Sequence, residues 1–591
     1  MKRIVTALAV SFLATAAALA TAAAARAATE DRLEALWTAR QRYGPDVRGT
    51  LLFLPRNGAL HADIAGFSVP VQVQVQRMTF ALPDGKGSFR GVRDGSHIVG
   101  QWIQPTTAIG GRPFATPVLL RAEGGDRWRG EVVPLDDHMT HFLPVTRGAE
   151  GRFVTYLHNT ERNLGRFIPV SRMEVDGETV RLLGTRRGAQ QETMLLQGRR
   201  DAETRVLSLP INGRTFDFER DATESSAFYP RGRHGERYRY APPVPLDDGW
   251  PVATLEEEGI DRAAIERFVQ MLIDTPMENV SSSQIHSLLI ARHGRLVLEE
   301  YFHGHGRRDP HDTRSAAKSW TAVLIGAAMQ AGVPIRRDTL VYQTMLGSLP
   351  ADLDPRKRAM TLEHLISMTA GFFCDDGNPD APGQEDRMQE QTEEPDWYRY
   401  TLNVPMASAP GERIVYCSAE PNLAAGMLER IAGEPLPELF DRLVARPLRM
   451  GPYHLLLTPT GTAYGGGGHH FRPRDFLKLA QLMVNEGRWE GQQIVSREWA
   501  RESAAALRNL TPTQTYGYLW NSVAYPYRGR TIHAFFAGGN GGQIFMGIPE
   551  LDLVIGFTGG NYSDPALFIP QRVYVPQYVL PAVTEVVSRG K

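Results

Sequence analysis

Lysine is scarce in this sequence. Only six of its 65 basic residues are lysines, at positions 2, 86, 318, 357, 478 and 591. Arginine stays protonated in proteins, whereas a lysine amine can lose its proton when burial removes it from water. A lysine retained in the apolar segment TRSAAKSWTAVLIGAAM, as Lys318 is, therefore suggests that a proton has to be transferred there.

Excess charge and long apolar runs are also lacking. The formal net charge is −1 and the isoelectric point is near 7, which argues against a nucleic-acid-binding protein. Beyond the first 25 residues, no apolar stretch is long enough to cross a membrane. At 591 residues the chain is too long for one hydrophobic core, so it is expected to form several domains.

The first 27 residues have the pattern of a cleavable signal peptide. Lys2 and Arg3 precede an alanine-rich apolar run, and Ala25-Arg26-Ala27 forms an A-x-A cleavage site. The pattern predicts export to the periplasm or the medium, with no membrane span after cleavage. The alternative is an uncleaved anchor, since the run is long enough to span a bilayer.

Cysteine occurs only twice, as Cys374 and Cys417. An exported protein meets an environment in which disulfides persist, so a Cys374–Cys417 bridge is possible. Two free buried thiols are the alternative, because the geometry that a bridge requires is not visible in a sequence.

Two regions of different pattern follow the predicted signal peptide. Residues 28–240 contain short alternating runs such as VQVQVQRMTFAL between Gly, Asp and Asn turns, which predicts an all-β sandwich or barrel of unknown role. A segment rich in Pro, Arg and Gly ends in a linker at 241–250. Residues 251–591 combine strands at both ends with a helical middle, which predicts an antiparallel sheet flanked by helices and a helical subdomain, an α+β fold.

Ser315 and Lys318 form the sequence SAAK at the start of a predicted, almost wholly apolar helix. Residues at i and i+3 lie on one helix face, so the two side chains can touch. Unpaired N–H groups at a helix start can stabilise a developing oxyanion. The spacing therefore suits a nucleophile and its activator; the alternative is a helix-capping serine and a lysine that reaches solvent.

Four further segments follow SAAK along the chain. In order, they are LEHLISMTAGF, PGERIVYCSAEPNLAAGMLERIAG, RPRDFLKLAQLMVNEGRWEGQQIVSREW and AGGNGGQ. In these segments, residues 250–590 resemble the serine β-lactamase and penicillin-binding-protein superfamily, whose nucleophile motif is S-x-x-K. The resemblance is greatest to its class C branch, to family VIII carboxylesterases and to 6-aminohexanoate-oligomer hydrolases.

The resemblance implies a set of roles. Ser315 would form an acyl-enzyme. Lys318, kept near neutral by burial, would take the serine proton or hold the network that does. Tyr416 of the YCS motif would assist as a phenolate or a hydrogen-bond relay, and Lys318 could be the cation that lowers the pKa of its phenol. The backbone N–H groups of Ser315 and Gln543 would form the oxyanion hole. Ser418 and the segment Asn540, Gly541, Gly542 would bind substrate. No cofactor is implied.

Two departures from the family pattern bear on the substrate. Ser418 replaces the usual Asn of the tyrosine motif, and Asn540 replaces the usual Lys or His of the strand motif. A neutral Asn540 weakens the case for a substrate carrying a carboxylate. The sequence therefore predicts an exported serine hydrolase of a small ester or amide. The alternatives are a β-lactamase or D-peptidase, and a penicillin-recognising binding protein without turnover.

A metal site is not expected. The histidines at 303, 305, 311, 469 and 470 show no metal-binding spacing such as H-E-x-x-H. The acidic run around Asp375 and Asp376 is expected to be a solvated loop beside the cleft rather than a calcium site.

Overall fold

The computed structural model describes residues 33–584 apart from 107–110, 161–167, 187, 202–205, 221–227, 231–235 and 278–280. The predicted signal peptide lies outside these residues. Within the described part of the chain, no helix has the length and apolar character to cross a membrane.

The described residues group into two compact units. One lies within Met1–Gln41, Met139–Phe228 and Pro276–Ser282, and the other within Arg42–His138, Tyr229–Thr275 and Ser283–Lys591. This grouping differs from the predicted bounds 28–240, 241–250 and 251–591, which stay a prediction. The difference arises because the β-rich region contributes one sheet to each unit.

The alternation of apolar and polar residues before residue 221 produces short strands, as predicted; in Arg127–Val132, for example, every second residue is buried. The strands described there are β1 Ala35–Gly44, β2 Gly49–Arg56, β3 Ala59–Ile64, β4 Phe67–Pro70, β5 Gln72–Gln74, β6 Arg77–Ala81, β7 Ser88–Asp94, β8 His97–Gln104, β9 Phe114–Gly124, β10 Arg127–Val132, β11 Asp137–Arg147, β12 Phe153–Thr155, β13 His158–Asn159, β14 Arg172–Asp176, β15 Thr179–Gly184, β16 Thr193–Asp201, β17 Val206–Ile211 and β18 Arg214–Arg220.

The first unit is an antiparallel barrel. Its strand order is β1-β18-β17-β16-β15-β14-β12-β11-β13, and an additional pairing of β1 with β11 closes it. Buried side chains such as Trp37, Leu182 and Phe218 fill its core. Closure leaves few unpaired strand edges.

The second unit contains the sheet β4-β3-β2-β10-β9-β8-β7-β6-β5 and the region with the SAAK sequence. The strands described in that region are β19 Ile285–Arg292, β20 Arg295–Tyr301, β21 His311–Asp312, β22 Leu455–Leu456, β23 His470–Phe471, β24 Arg488–Trp489, β25 Gln492–Gln493, β26 Arg508–Thr511, β27 Gln514–Tyr516, β28 Asn521–Tyr527, β29 Arg530–Gly539, β30 Gln543–Ile548 and β31 Leu553–Gly559.

Its helices surround one large sheet. They are α1 Arg262–Asp274, α2 Lys318–Gln330, α3 Val341–Leu346, α4 Pro355–Arg358, α5 Leu362–Ile366, α6 Glu385–Glu390, α7 Trp397–Asn403, α8 Ala419–Ala432, α9 Leu436–Phe440, α10 Pro473–Val484, α11 Arg497–Ser503 and α12 Leu580–Ala582, with π-helical turns at Asp441–Ala445 and Pro570–Val579 and 3-10 turns at Pro83–Gly85, Ala149–Gly151, Arg314–Ala317, Pro549–Leu551 and Pro565–Phe568.

The sheet has the antiparallel order β20-β19-β31-β30-β29-β28-β27-β26. One face packs on α1 and the C-terminal helical turns, and the other packs on α10. Helix α2 is buried from Lys318 through Ala328, because its residues are apolar nearly all round. These features confirm the predicted α+β fold with a central helix and an N-terminal all-β region.

Candidate active site

Ser315 lies in a 3-10 turn, Arg314–Ala317, that leads directly into α2. Strands β29 and β30 contact this turn. The approach at Gly539 is so close that a Cβ there would lie 2.3 Å from the Thr313 carbonyl oxygen and 3.0 Å from the Ala316 nitrogen. Glycine at 539 therefore lets the end of β29 reach the backbone around Ser315.

Lys318 contacts Ser315 as the i, i+3 spacing predicts. Its Nζ donates hydrogen bonds to Ser315 Oγ at 2.9 Å and to the Gly466 carbonyl oxygen at 2.8 Å. The lysine is 1% exposed, so the alternative of a lysine that reaches solvent is wrong. The amine is held beside the hydroxyl by the Gly466 carbonyl.

Tyr416 completes the group. Lys318 Nζ lies 5.0 Å from the centroid of the half-buried Tyr416 ring. Next to it, the sulfurs of Cys374 and Cys417 are 1.95 Å apart and joined as a disulfide. The Asp376 N–H donates to the Tyr416 carbonyl oxygen at 3.0 Å. Two links therefore join the 374–376 loop to the segment that carries Tyr416.

The pKa of Lys318 bears on whether its amine is near neutral or a cation, two states that the sequence left open. Burial lowers the pKa of its amine, but Tyr416, Glu385 and Asp376 together raise it by more, so the net pKa is above that of an ordinary lysine. Burial alone would have favoured the neutral amine. The raised pKa favours the protonated amine, so of the two roles expected for Lys318, a near-neutral base or a cation beside Tyr416, it supports the cation.

Ser418 does not face the cleft as an open substrate-binding group. Both its N–H and its Oγ–H donate to Asp376 Oδ2, at 2.9 Å and 2.6 Å. Burial, with a smaller contribution from Glu385, raises the pKa of Asp376 to about 6 although Lys318 and Ser418 lower it. Asp376 is therefore ionised at neutral pH, and the acidic run around it is not simply a solvated loop.

Glu385 is a site residue that sequence reasoning missed. Its Oε1 accepts a hydrogen bond from Tyr464 Oη at 2.7 Å, and its N–H donates to Asp376 Oδ1 at 3.2 Å. It contributes to the raised pKa of Lys318. The only signal was its place in the same acidic run as Asp376, which carried no indication that either side chain turns inward.

The AGGNGGQ segment connects β29 to β30 beside the Ser315 turn. Asn540 is exposed, and its Oδ1 accepts from the Ser563 N–H at 2.7 Å. Gly541 and Gly542 have φ angles of 98° and 93°, a backbone conformation that favours glycine. The side chain of the buried Gln543 donates to the Gly559 carbonyl oxygen at 2.8 Å. The structure thus brings this segment to the site, with a neutral side chain at 540.

Comparison with known proteins agrees with this geometry. Residues 277–564 match the family model described as Beta-lactamase. The match spans slightly less than half of the chain and includes Ser315, Lys318, Tyr416 and Asn540. This part of the chain is a domain of the β-lactamase-fold hydrolase family, as the sequence resemblance implied.

Several solved structures are similar to the chain. A putative 6-aminohexanoate-dimer hydrolase from Bacillus anthracis is 18% identical, with 48% of this chain and 76% of that chain covered and a TM-score of 0.41. EstCE1, a hydrolase with promiscuous acyltransferase activity, is 17% identical, with 51% and 93% covered and a TM-score of 0.40. A D-stereospecific amidohydrolase from Streptomyces sp. is 15% identical, with 49% and 95% covered and a TM-score of 0.38.

Proposed function

We propose that the protein is an exported serine hydrolase that cleaves a small ester or amide through an acyl-enzyme on Ser315. One observation carries the proposal: the buried Lys318 amine donates to Ser315 Oγ at 2.9 Å while lying 5.0 Å from the Tyr416 ring centroid. A hydroxyl with a proton-transfer network within reach is the arrangement that makes serine a nucleophile. The predicted signal peptide and the disulfide support export.

The proton path follows from the charge of Lys318. A protonated amine cannot accept the serine proton, so Tyr416, reacting as its phenolate, takes it as Ser315 Oγ bonds to the substrate carbonyl carbon. The Lys318 cation lies where it stabilises this phenolate before the transfer. Tyr416 then returns the proton to the leaving alcohol or amine as the carbonyl re-forms.

The oxyanion of the tetrahedral intermediate would be bound by the N–H groups of Ser315 and Gln543. In support, the turn that carries Ser315 contacts β30, whose first residue is Gln543. Water then attacks the acyl-enzyme, gives its proton to the same network and releases the acid and free Ser315.

The substrate is inferred from the rim of the site. Asn540 is neutral and exposed, and the Ser418 side chain is engaged by Asp376. Neither supplies the cation that pairs with a substrate carboxylate. We therefore favour a neutral small ester or amide over a β-lactam.

The test compares wild type with Ser315→Ala on p-nitrophenyl acetate, p-nitrophenyl butyrate and nitrocefin, with mass spectrometry of the protein after mixing. We expect ester turnover with a transient acyl adduct, and a loss of about 10³-fold or more in Ser315→Ala. Ser348→Ala, which changes an exposed serine, serves as the matched control.

Each other outcome selects a different conclusion. Unchanged activity in Ser315→Ala refutes the nucleophile. A stable adduct without turnover identifies a penicillin-recognising binding protein instead. Turnover of nitrocefin without turnover of the esters identifies a β-lactamase.

A further inference from the structure

Three histidines that are distant in sequence meet outside the group around Ser315. His286 lies in β19, His305 follows β20, and His311 lies in β21. Each offers a ring nitrogen, or ligand atom, and these atoms all lie within 4.8 Å of one another. The sequence argument against a metal did not include His286, which has no characteristic spacing to the other two.

The ring of His311 is oriented as a metal ligand is. Its Nδ1 lies 3.0 Å from the backbone carbonyl oxygen of Asp312, so Nδ1 carries the proton and donates to that oxygen. Its Nε2 then presents a lone pair and lies 2.9 Å from His286 Nδ1. A metal-bound histidine characteristically donates its other N–H to a carbonyl or carboxylate, which fixes the tautomer and the ring.

The ring of His305 lies beside the hydrogen-bonded pair His286 and His311. The His305 ring centroid lies 4.1 Å from that of His286 and 5.0 Å from that of His311. Nitrogens bound to one tetrahedral Zn²⁺ at about 2.0–2.1 Å lie about 3.3 Å apart. His286 Nδ1 and His311 Nε2 lie 2.9 Å apart, and the ligand atoms of all three histidines lie within 4.8 Å of one another, so side-chain shifts of about 1 Å would bring them onto one ion.

We propose that His286, His305 and His311 bind one divalent cation, Zn²⁺, whose remaining position is open to water. Imidazole nitrogen is a preferred ligand for Zn²⁺. His311 lies four residues before Ser315, and His286 lies in β19 of the central sheet, so the ion joins the segment that leads into the Ser315 turn to that sheet. Its role is to hold the segment that leads into the Ser315 turn.

The test uses the full-length mature protein, purified without a histidine tag. Zinc per chain is measured by elemental mass spectrometry after chelator dialysis, reloading with ZnCl₂ and desalting, and thermal unfolding is followed with and without ZnCl₂. We expect one equivalent of zinc and a rise in Tm of about 5 °C at zinc well above its Kd. Co²⁺ in place of Zn²⁺ should give the visible absorption of a nitrogen-ligated ion.

The main variant is His305→Ala, because His305 is only partly buried. We expect at least about 10-fold weaker zinc binding and loss of the Tm rise. His305→Gln preserves more side-chain volume and replaces it if the alanine variant does not fold. His533→Ala removes an exposed histidine elsewhere and should bind zinc as wild type does.

The proposal is overturned if wild type takes up no zinc and its Tm is unchanged. It is also overturned if His305→Ala and His305→Gln bind zinc as tightly as wild type, which would place the ion elsewhere.

Discussion

At the scale of single residues, the state of Lys318 results from two opposed effects. Burial in α2 disfavours the ammonium ion, whereas the neighbouring Tyr416, Glu385 and Asp376 favour it and prevail. A lysine that only supplied surface charge would not need to be buried beside Tyr416 and two carboxyl groups. We infer that the cation itself has a function, namely to stabilise the Tyr416 phenolate that takes the serine proton.

Replacing Lys318 tests this role. We expect Lys318→Met to lower kcat/KM for the ester by about 10²–10³-fold, since both the hydrogen bond to Ser315 and the cation are lost. Steady-state kinetics at pH 7.5 measures the change. Lys86→Met, at an exposed lysine, is the control, and equal activity of the two variants would contradict the assignment.

The carboxyl of Asp376 supplies a pH test. With its pKa raised to about 6 by burial, it gains a proton as the pH falls below 6 and no longer favours the Lys318 cation. We expect wild-type kcat/KM to rise through an inflection near pH 6, and the Asp376→Asn profile to lack that inflection and to be roughly 10-fold lower at pH 7.5. Asp375→Asn is the matched neighbour, and an inflection that survives in Asp376→Asn assigns it to another group.

At the scale of elements, β9 attaches the N-terminal sheet of the second unit to its hydrolase part. Phe114 and Ala115 pair with Leu456 and Leu455 of β22. Nearby, Arg90 of β7 donates to Glu438 of α9 at 2.5 Å and 3.3 Å. Burial raises the pKa of Glu438, and Arg90 partly offsets that effect.

Breaking this ion pair should show how much it contributes to the free energy of unfolding. Arg90→Met leaves a mostly buried carboxylate without its partner, so we expect the free energy of unfolding to fall by about 1–3 kcal/mol. Adding Glu438→Gln should recover part of that loss, because the unpaired charge is removed. Urea unfolding of the single and double variants measures the coupling.

An exposed ion pair provides the control for the Arg90 and Glu438 variants. Arg336 and Asp338 are bound to each other with side chains 75% and 68% exposed. We expect Arg336→Met to leave the free energy of unfolding almost unchanged, because water screens an exposed pair. Equal losses in Arg90→Met and Arg336→Met would mean that the Arg90–Glu438 contact adds nothing to the attachment.

At the scale of the whole molecule, buried histidines make the fold sensitive to acid. His469 Nδ1 accepts a hydrogen bond from the Leu456 N–H at 3.0 Å, so that nitrogen cannot carry a proton in the folded state. Burial, with a contribution from His470 and against a contribution from Asp312, lowers the pKa of His469 to about 3. Burial likewise holds the pKa of His454 well below its usual value.

Acid should lower the stability of the fold, because the unfolded state binds protons at His469 more tightly than the folded state does. A histidine whose pKa is lowered by folding contributes stability above its unfolded pKa, near 6.5, and this stability is lost as the pH falls from 6.5 through about 3. His469 alone should lower the free energy of unfolding by about 2 kcal/mol at pH 5 relative to pH 7.

His469→Asn isolates that contribution, because the amide oxygen can accept from Leu456 without titrating. We expect its free energy of unfolding to fall less steeply than that of wild type between pH 6.5 and pH 4.5, as measured by urea unfolding. His293→Asn, at a partly exposed histidine, is the control. Parallel slopes for wild type and His469→Asn would refute the argument.

Several features of this protein follow from the sequence because they depend on residues close together in the chain. The alternation in strands such as β10, the apolar surround of α2 and the i, i+3 spacing of Ser315 and Lys318 are local patterns with local consequences. The α+β fold and the contact between Ser315 and Lys318 could therefore be predicted without a structure.

Only the tertiary structure decided which charges and ligands meet. Ser418 is 42 residues from Asp376, and Arg90 is 348 residues from Glu438; His286 meets His311 across 25 residues of chain. Such contacts depend on the tertiary fold, and the pKa of a group depends on every charge that folding brings near it. The sequence alone thus determined that Ser315 and Lys318 are neighbours, whereas folding determined which charges surround Lys318.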